Sequence, residues 1–161
     1  MFAEVEGTNL DEKAFNERWA RWYKCSMCEQ NYHGVVACAL GWRCWLTYEM
    51  LPRGDARQFL AMGILASALI EGKRSKEALS LLQTSLADAR LYFASDASQI
   101  LNAQEMVSKC YNKLGQHKKA LHMQREVFEG RLALEHTGIN TMRAAACLAG
   151  TLVALGRVWP E

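Results

Sequence analysis

Three segments of the chain share one pattern of apolar and small residues. Leu65-Ala66, Val107-Ser108 and Leu148-Ala149 each set an apolar side chain beside a small one, 42 and then 41 residues apart. One helical turn further on stand Leu69, Tyr111 and Leu152, followed shortly by Gly72, Gly115 and Gly156. The pattern predicts three helices, each stopped by a glycine. After the first two glycines the chain resumes as Lys76-Glu77-Ala78-Leu79 and Lys118-Lys119-Ala120-Leu121, again 42 apart. Apolar positions then continue at helical spacing through Leu82, Leu86 and Ala89, and through Val127, Phe128 and Leu132. A second helix therefore follows each of these first ones.

Glycine supplies the positive φ that ends a helix, and a tight turn then folds the next helix back antiparallel. The small Ala or Ser lets the two backbones approach closely. A helix hairpin of this kind leaves an apolar stripe uncovered, so neighbouring hairpins stack, which predicts an all-α solenoid of antiparallel helix pairs. The step from glycine to alanine is longer by one residue from Gly72 to Ala78 than from Gly115 to Ala120, so the first turn is expected to carry an extra residue. The third copy runs into Gly156-Arg157-Val158-Trp159-Pro160-Glu161 with no second helix. A solenoid cut there exposes an apolar face, so the expectation is either a piece of a longer protein or an end covered by a partner, with self-association through that end as one route.

Composition agrees with helix. The only prolines are Pro52 and Pro160, and good helix formers dominate from Leu51 onward. Half of the 161 residues are hydrophobic, ample for a core.

The run Leu65-Ala66 to Leu69 and its later copies, with Leu114-Gly115 leading to Ala120-Leu121, resembles the tetratricopeptide repeat. The spacing near 42, longer than the usual repeat of about 34 residues, resembles the kinesin light chain variety with its extended helices. The resemblance covers residues 57–161, leaving 1–56 as a Cys- and Trp-rich helical leader or degenerate repeat. It implies a superhelix whose first helices line a concave groove, and a non-catalytic scaffold that binds a protein or peptide. On the first helix of the second copy, Ala103, Val107, Tyr111 and Leu114 form one inward stripe, while Asn102, Glu105, Lys109, Asn112 and Lys113 lie opposite. Arg143 takes the matching place in the third copy. The resemblance thus implies a groove with Lys109, Lys113 and Arg143 as cations and Asn102 and Asn112 as amides, suited to an acidic segment or a free carboxylate. The plainer alternative is a solvated helix face.

The leader carries the remaining candidate chemistry. Cys25 and Cys28, then His33, then Cys38 have the ligand spacing of a CCHC zinc knuckle. The alternative function is accordingly a zinc-bearing nucleic-acid-binding module joined to the helical array. Knuckles use glycines after the second Cys and before the His, and those places hold Glu29 and Tyr32. The step from Gly34 to Ala39-Leu40 instead repeats the one from Gly115 to Ala120-Leu121. That predicts a degenerate pair with Cys25 and Cys28 in a first helix, Gly34 at the turn, and Cys38, Trp42, Cys44 and Trp45 in a second helix, the four candidate ligands mostly buried in helix or turn and without metal. This segment also resembles the leader before such repeats in some algal repeat proteins. Trp19, Trp22, Tyr23, Trp42 and Trp45, interleaved with Arg18, Arg21 and Arg43, are expected to cap the solenoid rather than stack on bases.

Charge and targeting change the picture little. A net charge of +2 drives neither nucleic-acid nor membrane binding, although the stretch with Lys109, Lys113, Lys118, Lys119 and Arg125 is locally basic and residues 1–17 are acidic. No apolar run approaches the roughly 20 residues of a membrane span, and the start lacks the features of a secretory signal. A cytoplasmic setting and reduced cysteines, mostly buried as small hydrophobes, are expected. No nucleophile elbow, phosphate loop, paired-histidine zinc motif or dinucleotide fingerprint occurs, so no enzyme and no cofactor are expected.

Overall fold

The structure is a computed structural model that describes residues 12–94, 96–134 and 137–156. Within them the regular elements are helices: α1 (Glu12–Ala20), α2 (Gly34–Tyr48), α3 (Ala56–Glu71), α4 (Ser75–Tyr92), α5 (Ala97–Lys113), α6 (His117–Leu134) and α7 (Ile139–Ala154). One antiparallel bridge joins Lys24 to Asn31, and no strand occurs among the described residues. None of the described helices is long and apolar enough to cross a membrane. The acidic start and the residues after Gly156 lie outside the described residues.

The chain divides into two compact units, residues 1–73 and 74–161. The position 56/57, where the repeat-like pattern begins, lies inside the first unit, because α3 packs along α2. Trp19 of α1, Cys44 of α2 and Ala61 of α3 form its core, with Phe15, Trp22, Trp45, Tyr48 and Ile64 packed around them. Trp19 stacks on Tyr48 with centroids 4.9 Å apart. Trp42 and Tyr23 instead face outward, so the aromatic crowd is split between core and surface. At Gly41 the α2 backbone comes so near α3 that an added Cβ would lie 3.1 Å from Ala68 Cβ and 3.2 Å from Leu65 Cα.

In the second unit α4 packs on α5, α5 on α6, and α6 on α7. Leu101, Val127 and Ala144, with Phe128 against them, fill the space where α5, α6 and α7 meet. Ala103 and Val107 are buried as the inward stripe requires, whereas Tyr111 and Leu114 are half-buried.

The helix ends repeat in detail. Asp55 and Asp96 cap α3 and α5 by accepting from backbone N–H groups two residues on, at 2.8 and 3.1 Å. At the other ends, Gly72 N–H donates to Ala68 and Lys73 N–H to Ile70. Leu114 and Gly115 do the same with Cys110 and Asn112, and Leu155 and Gly156 with Thr151 and Val153. These three sets stand 42 and 41 residues apart, like the sequence motif.

The first turn nevertheless corrects the sequence reading. Its left-handed residue is Lys73 at φ 61, not Gly72, whose φ is −72, whereas Gly115 and Gly156 have φ 72 and 67. The turn carries no extra residue: α3 ends at Glu71 and α4 starts at Ser75, α5 ends at Lys113 and α6 starts at His117. The glycine is displaced by one position and the turn length is the same. Gly72 serves packing instead, since a Cβ there would lie 2.8 Å from Cys38 Sγ on α2. Gly72→Ala is therefore expected to cost about 1–3 kcal/mol through overpacking, and Cys38→Ala in the same chain to restore most of it. Urea unfolding followed by circular dichroism measures both. An unshifted midpoint in Gly72→Ala would remove this contact from the account.

The leader differs more. Cys25 and Cys28 lie in a non-helical loop between α1 and α2, not in a first helix, and Gly34, at φ 58, opens α2 instead of turning between two helices. Cys38, Trp42, Cys44 and Trp45 do lie on α2.

Candidate functional site

On α5, the residues placed on the supposed open face are drawn into internal contacts. Glu105 is 4% exposed. Its carboxylate accepts from Lys109 Nζ at 2.9 Å, one turn along the same helix, and from Arg143 Nε of α7 at 3.0 Å. Burial raises the Glu105 pKa, but the hydrogen bonds and charges of Lys109 and Arg143 outweigh it and hold the carboxyl below its ordinary value. A carboxyl depressed in the folded state contributes stability that is complete above the ordinary glutamate pKa of about 4.3 and is lost as pH falls through the depressed value. Glu105→Gln is thus expected to be less stable than the parent near neutrality and to converge with it in acid. Unfolding midpoints measured from pH 7 downward check this, and a constant difference across the range would count against the pairing.

The amides are also engaged. Asn102 Oδ1 accepts from Arg131 Nη2 of α6. Asn112 Nδ2 donates to Thr151 Oγ1 of α7 at 2.6 Å, and its Oδ1 lies 3.0 Å from His117 Nδ1. Lys113 is exposed at the end of α5. The structure therefore brings Lys109 and Arg143 together on one acid, and uses Asn102 and Asn112 to tie α5 to α6 and α7.

What the helical-wheel reading missed is the outer face of α7. Ile139, Met142 and Val153 are 80%, 68% and 69% exposed. At 3.6 residues per turn they fall on one side together with Ala146 and Gly150, both exposed. From Ala144 to Leu155 the one polar residue is Thr151, so no polar face marked which side was free.

In the first unit, Cys25, Cys28, His33 and Cys38 are not gathered. His33 Nδ1 sits 3.3 Å from Glu71 Oε2, and Cys38 Sγ donates to Ala68 O at 3.3 Å, both on α3. Cys28 and His33 are exposed and Cys25 and Cys38 half-buried, so the expectation that these four are mostly buried is corrected. Among the described residues no three Cys, His, Asp or Glu side chains converge as metal ligands would, and the four do not fit a tetrahedral zinc site. All six cysteines are free thiols. Cys44 and Cys110 are fully buried, and burial pushes their pKa up to about 12 and about 11. Beside the loop, Trp22, Tyr23, Tyr32, Ile64 and Glu71 help line a cleft of about 350 Å³.

No protein-family model, curated protein or solved structure matches the chain.

Proposed function

We propose that this chain is a non-catalytic helical-repeat scaffold of the tetratricopeptide kind, near the kinesin light chain variety, that binds a protein partner in the cytoplasm without a cofactor. Support for the repeat comes from the three equivalent helix ends at intervals of 42 and 41 residues and from the succession of helices in the second unit. The observation that carries binding is the apolar face of α7, with Ile139, Met142 and Val153 largely exposed. In a stack of helix pairs such a face receives the next helix, so the partner is an amphipathic helix whose apolar side lies along α7. The acidic-segment reading is narrower than the sequence implied, because Glu105 already neutralises one of Lys109 and Arg143; Lys113 remains the exposed cation on α5.

The test compares the parent with Met142→Glu/Val153→Glu. Both positions are exposed, so helicity and the unfolding midpoint should be retained, while affinity for a partner captured from the source cell and then purified should fall at least about tenfold. Equal affinity would move the binding surface off α7. Lys113→Glu, measured against the same partner, separates an acidic contact from the apolar one.

A further inference from the structure

Cys25 and Cys28 stand at the two ends of a turn that the backbone holds closed. Cys25 N–H donates to Gln30 O at 2.8 Å, Glu29 N–H donates to Cys25 O at 3.0 Å, and Lys24 bridges to Asn31 just outside. Glu29 sits at φ 57, the left-handed conformation that reverses the chain after the second cysteine. The groups that act on the Cys25 thiol all belong to this loop: the backbone of Cys28 and of Met27, then the Cys28 side chain, with Tyr32 behind them. The closed turn therefore holds the two cysteines on one short reversal of the chain. Cys28 is exposed and Cys25 half-buried, so reagents reach the pair. Of the other four thiols, Cys44 and Cys110 are sealed in cores, Cys38 is occupied by Ala68 O, and Cys147 is half-buried on α7.

We propose that Cys25 and Cys28 form a dithiol site that exchanges with low-molecular-weight disulfides, closing to an intramolecular disulfide and reopening on reduction. Cys25 attacks first. Hydrogen bonds from N–H groups favour an anionic sulfur and hold the Cys25 thiol below the usual cysteine range. With glutathione disulfide as the oxidant, the Cys25 thiolate attacks one sulfur, the glutathione S–S bond breaks, and one glutathione leaves as thiolate and takes up a proton. Cys28 then loses its proton to solvent, and its sulfur attacks Cys25 and expels the second glutathione. The chain gives up two electrons and two protons, and the glutathione disulfide becomes two thiols. A metal would require further donors, and His33 and Cys38 are turned to α3. In a reducing compartment a disulfide of this kind is transient and responds to the oxidant present.

The full chain, reduced and then equilibrated in mixtures of reduced and oxidised glutathione, is quenched, alkylated and mapped by mass spectrometry. Two of the six thiols should disappear together, with loss of two hydrogens from the peptide that holds Cys25 and Cys28. Cys28→Ser should accumulate one glutathione adduct at Cys25, and Cys25→Ser should react at least about tenfold more slowly than Cys28→Ser near neutral pH. Adducts scattered over Cys28, Cys38 and Cys147 without a cross-link, or equal rates in the two variants, would overturn the proposal. Zinc sulfate added to the reduced chain should leave the exchange rate unchanged. Stoichiometric zinc that blocks exchange would replace the dithiol with a metal site.

Discussion

Trp19→Ala is expected to lower the stability of the first unit by about 3–5 kcal/mol, the cost of emptying a buried indole site. The indole is buried, stacks on Tyr48 at 4.9 Å and touches a core whose other members, Cys44 and Ala61, are too small to fill the space it would leave. Phe15, tilted against it at 5.8 Å, would lose its neighbour as well. Trp42→Ala provides the contrast. That side chain is 39% exposed, and its loss is expected to cost under about 1 kcal/mol. Urea titrations read by far-ultraviolet circular dichroism compare the two. Equal losses would mean that the tryptophans act as one cluster and that the division between core and surface is wrong.

That division shows where the sequence stops being informative. Six aromatic residues within 19–45 announce a hydrophobic assembly, but which of them faces inward is decided by the packing of Trp19 against Cys44 and Ala61, a contact between distant segments. The same limit appears at Gly72. The interval of 42 residues is legible because caps, small residues and helix length are local properties, and the structure keeps it through Lys73 and Gly115. The displaced glycine misleads because its reason is Cys38, far off in the chain. At the Cys25 turn the signal failed differently. No glycine follows the second cysteine, yet Glu29 itself takes the left-handed conformation, which is uncommon outside Gly, Asn and Asp.

On α5 the periodicity gives one buried stripe, and the helix has more than one. Leu101, Gln104, Glu105, Ser108 and Cys110 are buried besides Ala103 and Val107, because α4 and α6 pack on it and the side chains of α7 reach it. Glu105 and Lys109 were visible as an i, i+4 pair. Arg143 could be aligned with the face by the repeat interval, but the sequence does not tell whether two cations near one acid bind that acid or a ligand.

For Asn102 the corresponding choice, internal contact or ligand, is decided by measurement, and the expected result is a loss of stability. Arg131 is 1% exposed, the largest of the fully buried side chains. Its Nη1 donates to Ser98 Oγ at 3.0 Å and its Nη2 to Asn102 Oδ1, while its Nε has no acceptor among the described residues. A guanidinium taken out of water loses several kcal/mol of hydration, and here two neutral oxygens supply the main compensation. Asn102→Ala removes one of them and leaves a buried charge short of an acceptor, at an expected cost of about 1–3 kcal/mol. Arg131→Met keeps most of the volume and removes the charge, so in that background Asn102→Ala should be nearly neutral. The double-mutant cycle should therefore give a coupling of about 1 kcal/mol or more, well beyond the scatter expected of independent sites. An Asn102→Ala chain that unfolds at the parent's urea midpoint would instead free this amide from α6 and return it to the groove that the sequence implied.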